Sequence, residues 1–347
     1  MFRNPTAFFT ALLLAGALPF APGCKRTTAG TGGPTSAART RHVFLAPPGQ
    51  PLKLAFVSNN ASDFWKQAEA GVDAYSKESG VQVVFKKPNS TNLLAEQNGI
   101  LEDLLTQGYN GIAISPWSPA EQTRELNRAA AQTNLICADS DCPKSNRLEY
   151  IGTNNYEAGK KLGEQIVKLL PKGGKMAVFV GTFSADNARQ RLQGIQDVIA
   201  GHNIDIVAKK EDSHDAIKQR ANPEDVINNT SLGVNLLCGL WSYNGGEIAA
   251  AIRASGKQGQ LIEVCFDDDK DTLKAIEEGI ISCTVVQKPY LFGYDSAKLL
   301  HDLAVKGQSA LPANDVMDLG VEVVDAENVK AYQQKIGKMF DAVKPKK

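Results

Sequence analysis

The sequence predicts an α/β protein built as two doubly wound, Rossmann-like lobes with parallel sheets, and three observations carry that expectation. Short apolar runs alternate with helix-patterned segments from Leu52 onwards. The alternation falls into two series, divided at Pro171-Lys172-Gly173-Gly174. Several of the apolar runs stop at residues suited to a polar ligand, and in parallel α/β sheets ligands lie beyond the carboxyl ends of the strands. Thus Leu54-Ala55-Phe56-Val57 runs into Ser58, Asn59 and Asn60, then Phe64-Trp65. The runs at 135–138, 236–240, 261–266 and 281–286 end at Asp139, Trp241, Asp267 and Gln287. Acceptors, amides and flat aromatic faces suit a small polyhydroxylated molecule better than an anion or a lipid.

In the first series a strand over 52–58 leads to a helix over 63–79, where Phe64, Ala68, Val72 and Tyr75 recur at helical spacing before Gly80. A strand over 81–86 precedes a helix over 91–107 carrying Leu94, Gln97, Leu101, Leu104 and Leu105. A strand over 111–115, a helix over 119–132 and strands over 134–138 and 148–152 follow, with Pro116 and Pro119 marking a strand-to-helix turn. The second series predicts strands over 175–181, 203–210, 234–240, 261–266 and 280–287. Helices over 187–200, 215–229, 244–255, 270–278 and 291–306 interleave with them, and a strand over 320–324 and a helix over 326–340 close the chain. No residue-level repeat links the halves.

With 347 residues the chain suits two domains of ordinary size. Lys+Arg and Asp+Glu balance at 38 each, so no global field selects nucleic acid. A mean hydropathy of -0.23 excludes a polytopic membrane protein. Arg3 followed by the apolar stretch Ala7 to Phe20 reads as a signal peptide. It ends at Ala21-Pro22-Gly23-Cys24, which resembles a bacterial lipobox, so residues 1–24 read as a signal peptide with a lipobox-like end and Cys24 as the lipidated first residue of the mature protein. Residues 25–50, rich in Thr, Gly, Ser, Ala and Pro, read as a flexible tether.

Of the six cysteines, Cys137 and Cys142 lie close enough to bridge, and free thiols there are an equal reading. Cys238, Cys265 and Cys283 read as buried strand residues. No zinc spacing, nucleophile elbow, phosphate loop or dinucleotide fingerprint is present, so neither metal nor cofactor is expected. The four histidines, His42, His202, His214 and His301, share no metal or triad spacing, although His214 sits where a ligand is within reach. The run Asp267-Asp268-Asp269-Lys270-Asp271 lacks the sharp-turn Gly of a calcium loop, and Asp269 or Asp271 is the better helix cap. Asp139 and Asp267 allow one enzymatic alternative, a carbohydrate-active enzyme using both as acid and base.

Strand one running into Ser58-Asn59-Asn60 and Phe64-Trp65, Ser115-Pro116, Asp139, Ile151-Gly152-Thr153-Asn154-Asn155, Asn187 to Gly194, Phe266-Asp267 and Gln287 stand in a specific order. In that order the chain resembles the type I periplasmic sugar-binding proteins, the ribose-binding-protein-like branch shared with LacI-type effector domains, over roughly residues 52–340. The resemblance implies a hinge of three crossings, near 153–155, 286–289 and 314–320. The N-terminal lobe would then comprise 52–153 plus 288–316, and the C-terminal lobe 154–287 plus 317–342.

It also implies that Asp139 and Asp267 accept from sugar hydroxyls, that Arg191 donates and that Gln287 bonds from the hinge side. Phe64 and Trp65 would cover a ring face, with Asn59, Asn60, Ser115 and Asn187 around the ligand. Two positions depart from the ribose pattern: Ser140 stands for an Arg, and Trp241 for an Asn. One cationic donor is lost and one stacking surface gained, so a hexose, polyol or glycoside stands level with ribose as the expected guest. The implied protein is a monomeric, lipid-anchored receptor of the periplasm or cell surface that serves the transmembrane subunits of an ABC permease. A sensor feeding a membrane kinase or chemoreceptor would read the same way.

Overall fold

The computed structural model describes residues 41–343, so the expected signal peptide, Cys24 and most of the tether lie outside the described residues. The first series folds as β1 (Leu54–Val57), α1 (Trp65–Ser79), β2 (Val83–Lys86) and α2 (Leu93–Thr106). It continues with β3 (Gly111–Ile114), α3 (Pro119–Ala130), β4 (Asn134–Ala138) and β5 (Tyr150–Gly152). The chain then crosses into α4 (Asn155–Leu169), β6 (Gly174–Val180), α5 (Asp186–Ile199), β7 (Ile204–Glu211) and α6 (Ala216–Asn228). Next come β8 (Leu236–Gly239), α7 (Ser242–Ser255), β9 (Ile262–Phe266), α8 (Lys270–Glu277) and β10 (Ile281–Val286). After α9 (Pro289–Lys306) and β11 (Val316–Asp318), the chain ends with β12 (Glu322–Asp325) and α10 (Val329–Val343).

Two six-stranded sheets result, ordered β11-β5-β4-β3-β1-β2 and β12-β10-β9-β8-β6-β7. Both faces of each are covered, which is why the strands read as continuous apolar runs. In β1, Leu54 and Phe56 enter the core beneath α1 and α9, while Ala55 and Val57 enter the one beneath α2 and α3. In the second lobe, Met176 and Val178 of β6 pack towards α4 and α5, and Ala177 and Phe179 towards α6 and α7. Helix starts follow the expected chemistry. The Asn92 and Asn154 side chains accept from Ala95 and Glu157 N–H groups, and Asp269 caps α8 through Asp271 N–H at 2.9 Å.

Five expectations need correction. Helix α4 was not anticipated, because Gly159 and Gly163 and a lysine-rich face dilute the apolar row Ala158, Leu162, Ile166. The strand expected at 320–324 is β12, and β11 just before it, in the other sheet, was not expected. Because all of Val316–Asp318 pairs with β5, the lobe boundary at 316/317 would cut β11, and the third crossing falls at 319–321. The sheets are not wholly parallel, since β12 runs antiparallel to β10. The ordered fold also begins before residue 52. Arg41 donates to the carbonyls of Leu148 and Pro312, and Phe44 exchanges backbone hydrogen bonds with the Asn134 side chain, so the end of the expected tether is pinned to the first lobe. Of the two readings of Cys137 and Cys142 the structure has the free thiols: both are buried, and the Cys142 thiol donates to the Pro119 carbonyl.

Each lobe packs one helix pair through glycines. A Cβ on Gly293 of α9 would stand 1.9 Å from the Ala68 carbonyl oxygen, and one on Gly71 of α1 2.0 Å from that of Tyr290. In the second lobe a Cβ on Gly159 would meet the Arg191 carbonyl oxygen at 2.1 Å, and one on Gly194 that of Tyr156 at 2.2 Å. The α4–α5 crossing therefore fixes the backbone from which Arg191 reaches the strand tips. Gly293→Ala is expected to destabilise the protein by about 1–3 kcal/mol, because the intruding methyl meets backbone and not a flexible side chain. A urea unfolding midpoint unchanged from wild type would contradict this.

Candidate functional site

The carboxyl ends of β1, β3 and β4 present Ser58, Ser115 and Asp139, and those of β8, β9 and β10 lead to Trp241, Asp267 and Gln287. Asp139 follows β4 and Asp267 follows β9, which hold the same place in the two strand orders. Both adopt left-handed backbone, φ 61° and 68°, where Asp is among the few tolerated side chains. Their surroundings repeat as well. Each donates its N–H to the neighbouring strand, to the Ile151 and Val285 carbonyls respectively. Each accepts a hydroxyl at its own carbonyl, from Tyr150 and Thr284, both at 2.7 Å. One local geometry, built twice, turns a carboxylate out of each sheet.

On the first lobe a chain of hydrogen bonds orients Asp139. Trp65 Nε1–H donates to Asn59 Oδ1 at 3.1 Å, Asn59 Nδ2 to Ser115 Oγ at 3.2 Å, and Ser115 Oγ to Asp139 Oδ2 at 2.9 Å. Asn60 adds a second bond to Asn59 Oδ1 and accepts from Ser62 N–H. Trp65 is 1% exposed and packs against Phe56, so it braces Asn59 from the core and does not offer a ring face. Phe64, edge-on to Trp65, is the member of that pair left half-buried. Beneath lies Gln97, whose Nε2 donates to the Ser58 and Ser115 carbonyls at 2.8 Å each and whose Oε1 accepts from Trp117 N–H.

On the second lobe Arg191 is 2% exposed, with its guanidinium 4.3 Å over the Phe266 ring. It donates to Asn155 Oδ1 and the Leu240 carbonyl, and Nη1 lies 3.7 Å from Asp267 Oδ2. Gln287 Nε2 donates to Asp267 Oδ1 at 2.9 Å. Arg191 and Gln287 thus converge on Asp267 and position it. The Trp241 indole leans on Gly181, where a Cβ would come within 1.9 Å of the ring, and donates to Asn187 Oδ1 at 3.1 Å.

The two sets of tips face each other. Burial pushes the Asp139 carboxyl up to about 6, with Ser115 and Arg191 opposing and the Asp267 charge adding to the rise. Burial likewise raises Asp267, against the pull of Arg191 and Gln287. Gln67 Nε2 on α1 donates across the lobes to Asp268 Oδ2 at 2.6 Å, and Tyr332 Oη on α10 donates to the same oxygen at 2.7 Å. At the mouth, Trp117 of the first lobe stands 5.5 Å from the His214 ring, which stands 5.2 Å from Trp241. His214 also has left-handed backbone, φ 62°, and its N–H donates to Asp212, which accepts the Tyr243 hydroxyl too.

Every sequence-indicated residue thus lies at the strand tips or directly behind them. Trp117, Asp212, Tyr243, Asp268, Gln67 and Gln97 were missed. The only signal for Trp117 was its place two residues after Ser115, and polar residues inside helices give none. Among the described residues, no helix is long and apolar enough to cross a membrane.

The family model for the periplasmic binding protein domain matches residues 54–309. The xylose/arabinose-binding protein of Sulfolobus acidocaldarius is 26% identical over 255 residues, which make up 67% of this chain and 60% of that protein. The ribose import binding protein of Bacillus subtilis is 24% identical over 249 residues, covering 71% of this chain and 79% of that one. A solute binding protein of an ABC transporter from Burkholderia graminis, solved with D-arabinose, is 28% identical with a TM-score of 0.76, covering 81% of this chain and 97% of its own.

A carboxyl whose folded pKa lies above its unfolded value, as for Asp139, takes up a proton on folding between the two values. Its contribution to stability is therefore greatest below about pH 4 and is lost as pH rises through about 6. Asp139→Asn keeps an acceptor for Ser115 and removes the charge. The variant is expected to be more stable than wild type by about 1–3 kcal/mol near pH 7.5, and nearly equal to it near pH 4. Melting curves at the two pH values check this, and a less stable variant near neutrality would contradict it.

Proposed function

The chain belongs to the periplasmic binding protein domain family, and from that premise we propose that it is an exported receptor for a sugar or sugar-like polyol. It holds the guest between its lobes and delivers it to the transmembrane subunits of an ABC permease. The observation that carries this reading is the pair Asp139 and Asp267, set on equivalent tips of two sheets and turned towards one another. A carboxylate accepts from two neighbouring hydroxyls, and one sugar ring between the tips would satisfy both lobes at once. Phe64 and Trp241 supply half-buried apolar faces for its C–H surface. Asn59, Ser115 and Asn187 supply amide and hydroxyl partners.

Hinge closure around ligands is described for periplasmic binding proteins in general. Here the chain passes between lobes at 153–154, 287–288 and 319–321. A guest touching both lobes binds the closed arrangement better and shifts the population towards it. The expected export signal and Cys24 support a receptor of the periplasm or cell surface, tethered by a lipid. The names of the relatives support binding and not turnover, and the role of Arg191 and Gln287 in holding Asp267 fits a fixed acceptor better than an acid changing its protonation.

A monosaccharide panel tested by melting-temperature shift and then by calorimetry is expected to yield one guest near micromolar affinity, about −8 kcal/mol, with no turnover. Asp267→Ala and Trp241→Ala are each expected to weaken that binding more than tenfold in a protein that still folds. Unchanged affinity in both variants would dismiss the pocket, and consumption of the sugar would favour the enzymatic alternative.

A further inference from the structure

The charges around the cleft do not balance. Asp139, Asp212, Asp267 and Asp268 stand at the tips of the two lobes, and among the described residues Arg191 is the one guanidinium in contact with any of them. Arg191 is already committed to Asn155, the Leu240 carbonyl and Asp267. Among the described residues, its contact with Asp267 is the only ion pair these four carboxylates make. Lys288, at the second crossing, is turned away to the Leu319 carbonyl at 2.6 Å. Arg189, two residues before Arg191, pairs with Asp186 at 2.6 Å.

Asp139 is the sharpest case. It receives one side-chain hydrogen bond, from Ser115, and the next residue along the chain is Ser140. A half-buried carboxylate that feels Arg191 only at a distance and makes no ion pair of its own still carries a desolvation cost. Hydroxyls of a neutral guest would hydrogen-bond it but leave the charge uncompensated. Two residues beyond Ser115, Trp117 begins the row of rings that runs through His214 to Trp241 and Tyr243. Aromatic faces attract cations and do not attract anions. The Asp212 carboxylate behind Tyr243 and His214 strengthens that negative potential.

We propose that the guest is an amino sugar, a single sugar ring whose protonated amine pairs with Asp139 and supplies the positive charge the cleft lacks. This rests on the sugar-receptor reading and adds the charge of the ligand to it. Ring hydroxyls then remain for Asp267, and the ammonium group takes the place that a basic side chain after Asp139 would fill.

The test is calorimetry near neutral pH with D-glucosamine, D-galactosamine and D-mannosamine, each beside its parent hexose and its N-acetyl derivative, which keeps the nitrogen and loses the charge. At least one amine is expected to bind tenfold or more tighter than both of its uncharged counterparts. Ser140→Arg, which sets a guanidinium beside Asp139, is expected to erase that preference without lowering the melting temperature below that of wild type. A parent hexose or N-acetyl sugar binding as tightly as its amine overturns the proposal, as does a preference that survives Ser140→Arg. Tight binding of neutral sugars alone overturns the charge inference and leaves the receptor standing. Failure of every sugar in all three series overturns both.

Discussion

Two carboxylates on left-handed strand ends, Asp267 buried and Asp139 half-buried, are the constraint around which the rest of the structure is arranged. A left-handed residue with a side chain costs about 1–2 kcal/mol, and desolvating a carboxylate costs more unless donors meet it. Both costs are met locally and in the same way. Each Asp holds its backbone through an N–H bonded to the neighbouring strand and a carbonyl that accepts a side-chain hydroxyl, so the strain is carried by bonds at the sheet's own edge. The side chains then differ. Asp267 is fixed by Gln287 and by Arg191, whereas Asp139 leans on a single hydroxyl backed by Asn59 and Trp65. That asymmetry leaves one tip settled and the other open to a partner from outside.

Behind the tips, ordinary packing does functional work. The α4–α5 crossing brings backbone against Gly159 so closely that Arg191 starts from a fixed position, and its guanidinium lies on Phe266. On the other lobe Gln97, buried in α2, ties two strand ends together and holds the backbone of Trp117. Gln67 with Asp268 and Trp117 with His214 bring the two lobes into contact beside the carboxylates. Binding sites of this kind trade stability for readiness, and a charged Asp139 is the clearest such trade here.

Much of the architecture was legible in the sequence because parallel strands covered on both faces leave unbroken apolar runs, and those runs end in polar residues at the site. Asp139, Asp267 and Gln287 were visible for that reason. What escaped detection has physical reasons too. In α4 the glycines needed for close packing also thinned its apolar stripe, and β11, three residues long, is too short to stand out. Trp65 and Phe64 are adjacent aromatics at a helix start, and only the packing against Phe56 decides which is core. Asp268 follows Asp267 directly, and nothing in an acidic run tells which carboxylate meets Gln67 and Tyr332 and which caps a helix.

The central claim is that tips from both sheets share one guest, and a crystal structure of the protein with its bound sugar tests it most directly. The account predicts density for a single ring in hydrogen-bond contact with both Asp139 and Asp267, with the Gln67–Asp268 bond intact. A ring bound to one lobe alone, with the two carboxylates apart and each in water, would contradict it.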